Sequence, residues 1–134
     1  MIQYDINIRV LYGDTDKMGV VYYGHYPRYY ESGRTELMRY LGISYKSLED
    51  KGIMMPVVEM HMEYLRSAYY DDNLTVRTII KEMPKARIRF YYEIYNEDKV
   101  LINKAYTDLS FINSETYRPV RPPAFLIEKL QELL

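Results

Sequence analysis

The sequence predicts an α+β fold: a five-stranded antiparallel sheet carrying one long helix on one face, with a further helix at the C-terminus. Three observations carry this. Residues 4 to 12 alternate, with Tyr4, Ile6, Ile8, Val10 and Tyr12 on one side and Asp5, Asn7 and Arg9 on the other, which is the period of a half-buried strand. From about Tyr23 to Leu41 the period changes: Tyr26, Tyr29, Tyr30, Gly33, Leu37, Tyr40 and Leu41 recur at three- and four-residue spacings and make one broad apolar stripe. All six glycines fall within the first 52 residues, and the chain beyond them reads as alternating runs with few breaks.

The elements follow in order. In the long helix Pro27 belongs in the first turn, where its missing N–H costs nothing. Gly42 is placed as a left-handed cap, with Ile43 supplying the accompanying apolar contact. Gly33 weakens a helix, so its place in mid-stripe predicts a helix lying close on the sheet. A short helix is expected over Tyr45 to Lys51, capped by Ser44 and stopped by Gly52. Four strands come next, with core faces Val58, Met60, Met62 and Tyr64; Leu74, Val76, Thr78 and Ile80; Ile88, Phe90, Tyr92 and Ile94; and Leu101, Ala105, Leu109 and Phe111. Turn residues separate them at Tyr70 to Asn73, Met83 to Lys85 and Asn96 to Asp98, and the prolines of "RPVRPP" start the terminal helix. Short connections imply antiparallel neighbours, and one apolar face per strand implies one layer of helix on one layer of sheet. The opposite sheet face carries Tyr91, Tyr95 and Tyr106 among its charges. Tyrosine is enriched at protein interfaces, which predicts a homo-oligomer, dimer or tetramer; tyrosines as strand formers on a wet surface are the alternative.

Composition narrows the function classes. At 134 residues, residues 1–134 are expected to form one domain with a sizeable core. With 18 basic and 19 acidic side chains, no net field draws the chain to nucleic acid or anionic lipid. The absence of cysteine excludes disulfides, thiolate catalysis and cysteine-ligated zinc. No segment approaches the ~20 apolar residues that span a bilayer, so no membrane insertion and a cytoplasmic location are expected.

Half of the glycines sit in "YGDTDKMGVVYYGHY", beside Asp14 and Asp16. As a calcium loop the stretch fails at two ligand positions, where it has Met18 and His25 in place of an oxygen ligand and a bidentate glutamate. His25 and His61 are the only histidines and neither has a partner at zinc-ligand spacing, so no metal is expected. Ser32 lies on the long helix outside any G-x-S-x-G, and neither G-x-G-x-x-G nor a phosphate loop occurs, so no nucleotide cofactor is expected. The two aspartates could be plain turn formers. Their context argues for more: they lie between a strand end and the N-terminus of a long helix, in a passage that Gly19 and Gly24 keep bare. That terminus offers unpaired N–H groups and the positive end of the helix dipole. An acid facing such a terminus is a nucleophile or base facing an oxyanion site, the geometry of acyl transfer.

The stretch "YGDTDKMGVVYYGHYPRYYESGRTELMRYLG" resembles the opening of the 4-hydroxybenzoyl-CoA thioesterase-like acyl-CoA thioesterases of the hotdog fold. The matching positions are Tyr12, Gly13, Asp14, Asp16, Gly19, Val20, Val21, Tyr22, Tyr23, Tyr26 and Glu31, and the likeness continues through "PVVEMHMEYLRSAYYDDNLTV" and "YRPVRPP". The resemblance implies a sheet wrapped around the long helix, oligomers formed by paired sheets, and hydrolysis of acyl-CoA to a carboxylic acid and free CoA without a cofactor. It assigns Asp16 the role of nucleophile or general base and the N–H of Tyr23 that of polarising the thioester carbonyl, with Gly24, His25 and Tyr26 completing the substrate-binding turn. Asp14 and Gly19 shape the loop. His25 departs from the asparagine common in the family; contact with substrate or with Asp16 and capping of the helix are its candidate roles, capping being the one expected. Glu31 and Glu36 are rival carboxylates, because a related branch of the fold uses an acid on the long helix. Arg87, Arg89, Arg118 and Arg121 are candidates for holding CoA. An acyl-carrier-protein thioesterase and a non-catalytic acyl-binding module are the alternative functions.

Overall fold

β-Branched and aromatic residues at every second position build the sheet. The computed structural model describes all 134 residues, and its strands are β1 (Ile2–Arg9), β2 (Ile53–Met54), β3 (Val57–Tyr64), β4 (Asn73–Ile80), β5 (Arg87–Tyr95), β6 (Leu101–Ser110) and β7 (Ile112–Asn113). Five of them form one antiparallel sheet in the order β1–β4–β5–β6–β3, while β2 and β7 pair as a small ribbon that alternation alone did not predict. The first strand stops at Arg9, earlier than expected; Tyr12 is 78% exposed in a one-turn 3-10 helix, Tyr12–Asp14.

Consecutive strands are not all neighbours. β3 lies at the far edge, three strand spacings from β4, or about 14 Å. Residues 65–72 cross that gap, well within the ~27 Å that eight extended residues can reach. The expectation that a short connection makes neighbours therefore fails here: connection length sets only a maximum span. The crossing segment packs back on the glycine-rich loop, with Val21 N donating to Ala68 O at 2.8 Å and Val20 bridging Tyr69.

The long helix α1 (Tyr26–Tyr40) follows a separate 3-10 turn, Tyr23–His25, and has Pro27 in its first turn. Gly42 caps it at φ +78°, and Ile43 N closes back on Met38 O at 2.9 Å. The short helix α2 (Tyr45–Asp50) is capped by Ser44, whose side chain accepts from Ser47 N at 3.1 Å. The terminal helix α3 (Ala124–Leu133) starts after Pro123. A Cβ on Gly33 would meet Thr78 Oγ1 at 2.6 Å and Val76 Cγ1 at 3.1 Å, so α1 does lie close on β4.

The core between helix and sheet is apolar except for Thr78 and one polar seam. Arg34 on α1 is only 8% exposed; its Nε donates to Tyr45 Oη at 2.7 Å and its Nη1 to Tyr92 Oη at 3.0 Å. Tyr92 Oη and Thr107 Oγ1 are 2.6 Å apart, and Tyr30 donates to Asn103. On the outer face, Tyr91, Tyr95 and Tyr106 bond Glu82, Glu93 and Glu59, and Arg89 stacks over Tyr106 with its guanidinium carbon 3.9 Å from the ring centre. These rings thus already have partners within the chain.

Candidate active site

Two turns and a crossing segment build the site. The strand ends, the 3-10 turn reverses the chain, and a three-residue hairpin turn follows. In that hairpin Thr15 bridges Val21, Asp16 N donates to Val20 O at 2.9 Å, and Gly19 N donates to Asp16 O at 2.9 Å. Gly19 takes φ +79°, the left-handed position such a turn demands.

The two aspartates end up in opposite surroundings. Asp14 is buried: its Oδ2 accepts from Leu11 N and from the Tyr29 hydroxyl, both at 2.9 Å, and its Oδ1 meets His25 Nε2 at 2.9 Å. Its main-chain oxygen accepts from Tyr22 N at 3.0 Å. Every oxygen of Asp14 is therefore engaged, within the loop, with the 3-10 turn or with α1. Asp16 is half-buried; its Oδ1 accepts from Met18 N at 2.8 Å, and its Oδ2 has no partner. It lines a cleft of about 350 Å³ together with Tyr23, Tyr26, Tyr64, Leu65 and Arg66. Burial first of all pushes the Tyr26 and Tyr64 hydroxyls above the usual phenol range, so both are neutral at pH 7 and Asp16 is the only acid in the cleft.

Tyr23 begins the turn Tyr23–His25, closed by His25 N donating to Tyr22 O at 2.9 Å. That bond leaves the N–H groups of Tyr23 and Gly24 outside the turn's own ladder, as at any helix start. The Tyr64 hydroxyl donates to Tyr23 O at 2.9 Å and fixes the turn from the crossing side. Gly24 borders a second cleft of about 570 Å³ that runs along α1 past Pro27, Arg28 and Glu31 to Arg34, Met60 and Thr107.

Asp16, Tyr23 and Tyr26 thus share one cleft and Gly24 faces the next, while His25 turns away from both. His25 stands at the position preceding α1 but makes no side-chain capping bond; its imidazole goes to Asp14, which corrects the capping role expected for it. Of the rival acids, Glu31 lines the second cleft, and Glu36 is paired with Arg39 outside both clefts. Arg89 is bound by Asp108 through two bonds of 2.6 and 2.8 Å on the outer face, and Arg87 lies 3.8 Å from Glu59, so neither reaches the Asp16 cleft. Arg118 and Arg121 are exposed and border neither cleft. The cations beside the clefts are Arg66, Arg28 and Arg34, none of which the sequence singled out: Arg66 sits in the crossing segment, whose path no periodicity marks. No three His, Asp or Glu side chains converge as a metal-ligand set, and no helix is long and apolar enough to cross a membrane.

Comparison with known proteins agrees with this architecture. The family model of the thioesterase-like superfamily matches residues 10–130. The chain is 30% identical over 125 residues to the acyl-CoA thioester hydrolase YbgC of Escherichia coli, covering 93% of both chains. It superposes with TM-score 0.94 on the DHNA-CoA thioesterase of Staphylococcus aureus, at 32% identity, covering 99% of this chain and 91% of that one. A 4-hydroxybenzoyl-CoA thioesterase, 23% identical with TM-score 0.85, shares the fold. With its five-stranded antiparallel sheet carrying one long helix, the chain belongs to the thioesterase-like superfamily and is a thioester hydrolase of the hotdog fold.

Proposed function

We propose that the chain hydrolyses acyl-CoA thioesters, with Asp16 as the attacking or water-activating carboxylate. The observation that carries this reading is the free Oδ2 of Asp16, in a cleft that Tyr23, the first residue of the 3-10 turn before α1, also lines. As nucleophile, Asp16 attacks the thioester carbonyl carbon; the C–S bond breaks, CoA leaves as thiolate, and water then cleaves the mixed anhydride. As base, Asp16 takes a proton from water as the water attacks. In both routes negative charge grows on the carbonyl oxygen, and the N–H groups of Tyr23 and Gly24 at the positive end of α1 stabilise it. Asp14 and Gly19 hold the loop, Tyr26 walls the cleft, and His25 fixes the turn through Asp14. Arg66, which is paired with no acid and lines the Asp16 cleft, is the cation we assign to the CoA phosphates. We also read the chain as a homo-oligomer in the cytoplasm, which light scattering after size exclusion and cell fractionation test.

Free-thiol release from short, long and aromatic acyl-CoAs tests the mechanism. Wild type is expected to turn over, and Asp16→Asn to lose at least about a hundredfold in kcat with its fold intact, the scale seen when a principal catalytic group is removed. Retained activity in Asp16→Asn would move the role to Glu31.

A further inference from the structure

The second cleft ends on a charge that nothing in the chain neutralises. Arg34 has no carboxylate within 4 Å; its partners are the hydroxyls of Tyr45 and Tyr92. Burial pushes the Tyr45 hydroxyl up to about 12 and raises that of Tyr92 as well, so both are uncharged at pH 7. A buried cation ordinarily sits beside an anion, because removing it from water unpaired is costly. Two of the five guanidinium N–H groups are used. Nη2 bonds to nothing in the chain and is not sealed from solvent, and Arg34 lines two clefts. Tyr92 is itself bonded to Thr107, so Arg34 is held in one rotamer before any ligand arrives.

Arg34 borders the cleft that begins at Gly24 and also an adjoining one of about 450 Å³ lined by Tyr45, Ile53 and Met55. Seven residues of helix separate Pro27 from Arg34, roughly 10 Å along the axis. Side chains on a helix lean toward its N-terminus, which shortens the path from the Gly24 turn to the guanidinium. About six acyl carbons fill it. Glu31, one turn earlier, borders the same two clefts, is exposed, and has no bonded partner.

On the thioester-hydrolase reading above, we infer that Arg34 is an acyl-specificity residue: it takes an oxygen acceptor, carboxylate or hydroxyl, at the far end of an acyl group of about six carbons laid along α1 from Gly24. A hydroxyl also donates to Glu31, whereas a carboxylate meets Glu31 as a like charge.

Calorimetric binding of three non-hydrolysable thioethers, S-hexyl-CoA, S-(6-hydroxyhexyl)-CoA and S-(5-carboxypentyl)-CoA, tests this without requiring turnover. A silent hydrolysis assay would sink the catalytic reading, while these binding ratios would still judge Arg34. Wild type is expected to bind one oxygen-bearing thioether at least about tenfold more tightly than S-hexyl-CoA, as a hydrogen bond to a charged group allows. Which of the two it prefers identifies the source of the oxygen. Arg34→Met is expected to bring all three to parity. Equal binding of the three by wild type, no binding of any, or an unchanged preference in folded Arg34→Met would overturn the inference. Should Arg34→Met not fold, Glu31→Gln on the exposed helix face decides: removing its charge should favour the carboxylate over the hydroxyl severalfold, and an unchanged ratio overturns the inference.

Discussion

Two aspartates separated by one residue show how far local geometry decides a side chain's work. Asp14 falls at the end of a 3-10 turn and is buried against Tyr29 and His25; Asp16 heads a hairpin turn and keeps one oxygen free. Composition and spacing drew attention to both, but they could not assign the roles, because the partner that claims Asp14 lies fifteen residues away on α1. Separation along the chain also hid the role of His25, whose partner Asp14 is not a neighbour in sequence and whose place before the helix suggested capping. The two positions should respond differently to mutation. Asp14→Ala strands the Leu11 N–H, the Tyr29 hydroxyl and the His25 ring without their acceptor, and an unmet buried group costs about 1–3 kcal/mol. Urea unfolding should therefore show a loss of roughly 2–4 kcal/mol. Asp16→Asn retains an oxygen for Met18 N and should stay within about 0.5 kcal/mol of wild type. A silent Asp14→Ala, or a strongly destabilised Asp16→Asn, would reverse the division of labour between the two residues.

At the scale of elements, periodicity located α1 and most sheet strands because each buries one face and burial imposes the spacing, while the Ser44 cap and Gly52 marked α2. The edge strand β3 departs from its expected core face, with Val58 and Tyr64 exposed and Met60 and Met62 half-buried. Parity even placed Asn103 and Thr107 on the core face of β6, between Leu101, Ala105 and Leu109, although their polarity kept them out of the expected core. Arg34 is the helix counterpart: it adjoins Gly33 in the stripe, and only the hydroxyls waiting on α2 and β5 make its burial tolerable. Gly33 was legible for a physical reason, since a residue that weakens a helix is kept where a backbone must come close. Gly33→Ala would gain roughly 1 kcal/mol of helix propensity, against a methyl 2.6 Å from Thr78 Oγ1. Overpacking costs typically about 1–3 kcal/mol, and thermal unfolding should show net destabilisation. Thr78→Ala removes the clashing oxygen, itself buried without a partner. The pair Gly33→Ala/Thr78→Ala should then be more stable than the sum of its single effects by 0.5 kcal/mol or more, on the order of couplings between touching residues. Strict additivity would mean that the helix and β4 are not in the contact described.

For the whole molecule, strand order was the illegible part. Turn residues mark where a strand ends but carry nothing about which edge the next one joins, and the segment 65–72 crosses between edges without any period. Because that segment also walls the Asp16 cleft, Arg66 was hidden for the same reason, and Tyr64, expected on a core face of β3, is instead exposed at the cleft, whereas the glycine loop, contiguous in sequence, could be read. Charge acts at this scale too. On the outer face β5 and β6 are joined by Arg89 and Asp108, and the two hydrogen bonds from Arg89 hold the Asp108 carboxyl below the usual carboxylate range. The folded state therefore binds the Asp108 proton less readily than the unfolded chain, where an aspartate titrates near ~3.9. The stabilisation is fully present above that value and is lost as pH falls from it through the lower folded value. Arg89 is about one-third exposed, so solvent screens the pair and its worth is about 1 kcal/mol. Asp108→Asn should accordingly unfold at lower urea than wild type from pH 7 down to about pH 5, with the gap narrowing below about pH 4 as the wild-type carboxyl takes up its proton. A gap that persisted unchanged at pH 3 would show that Asp108 stabilises the sheet through packing rather than through charge.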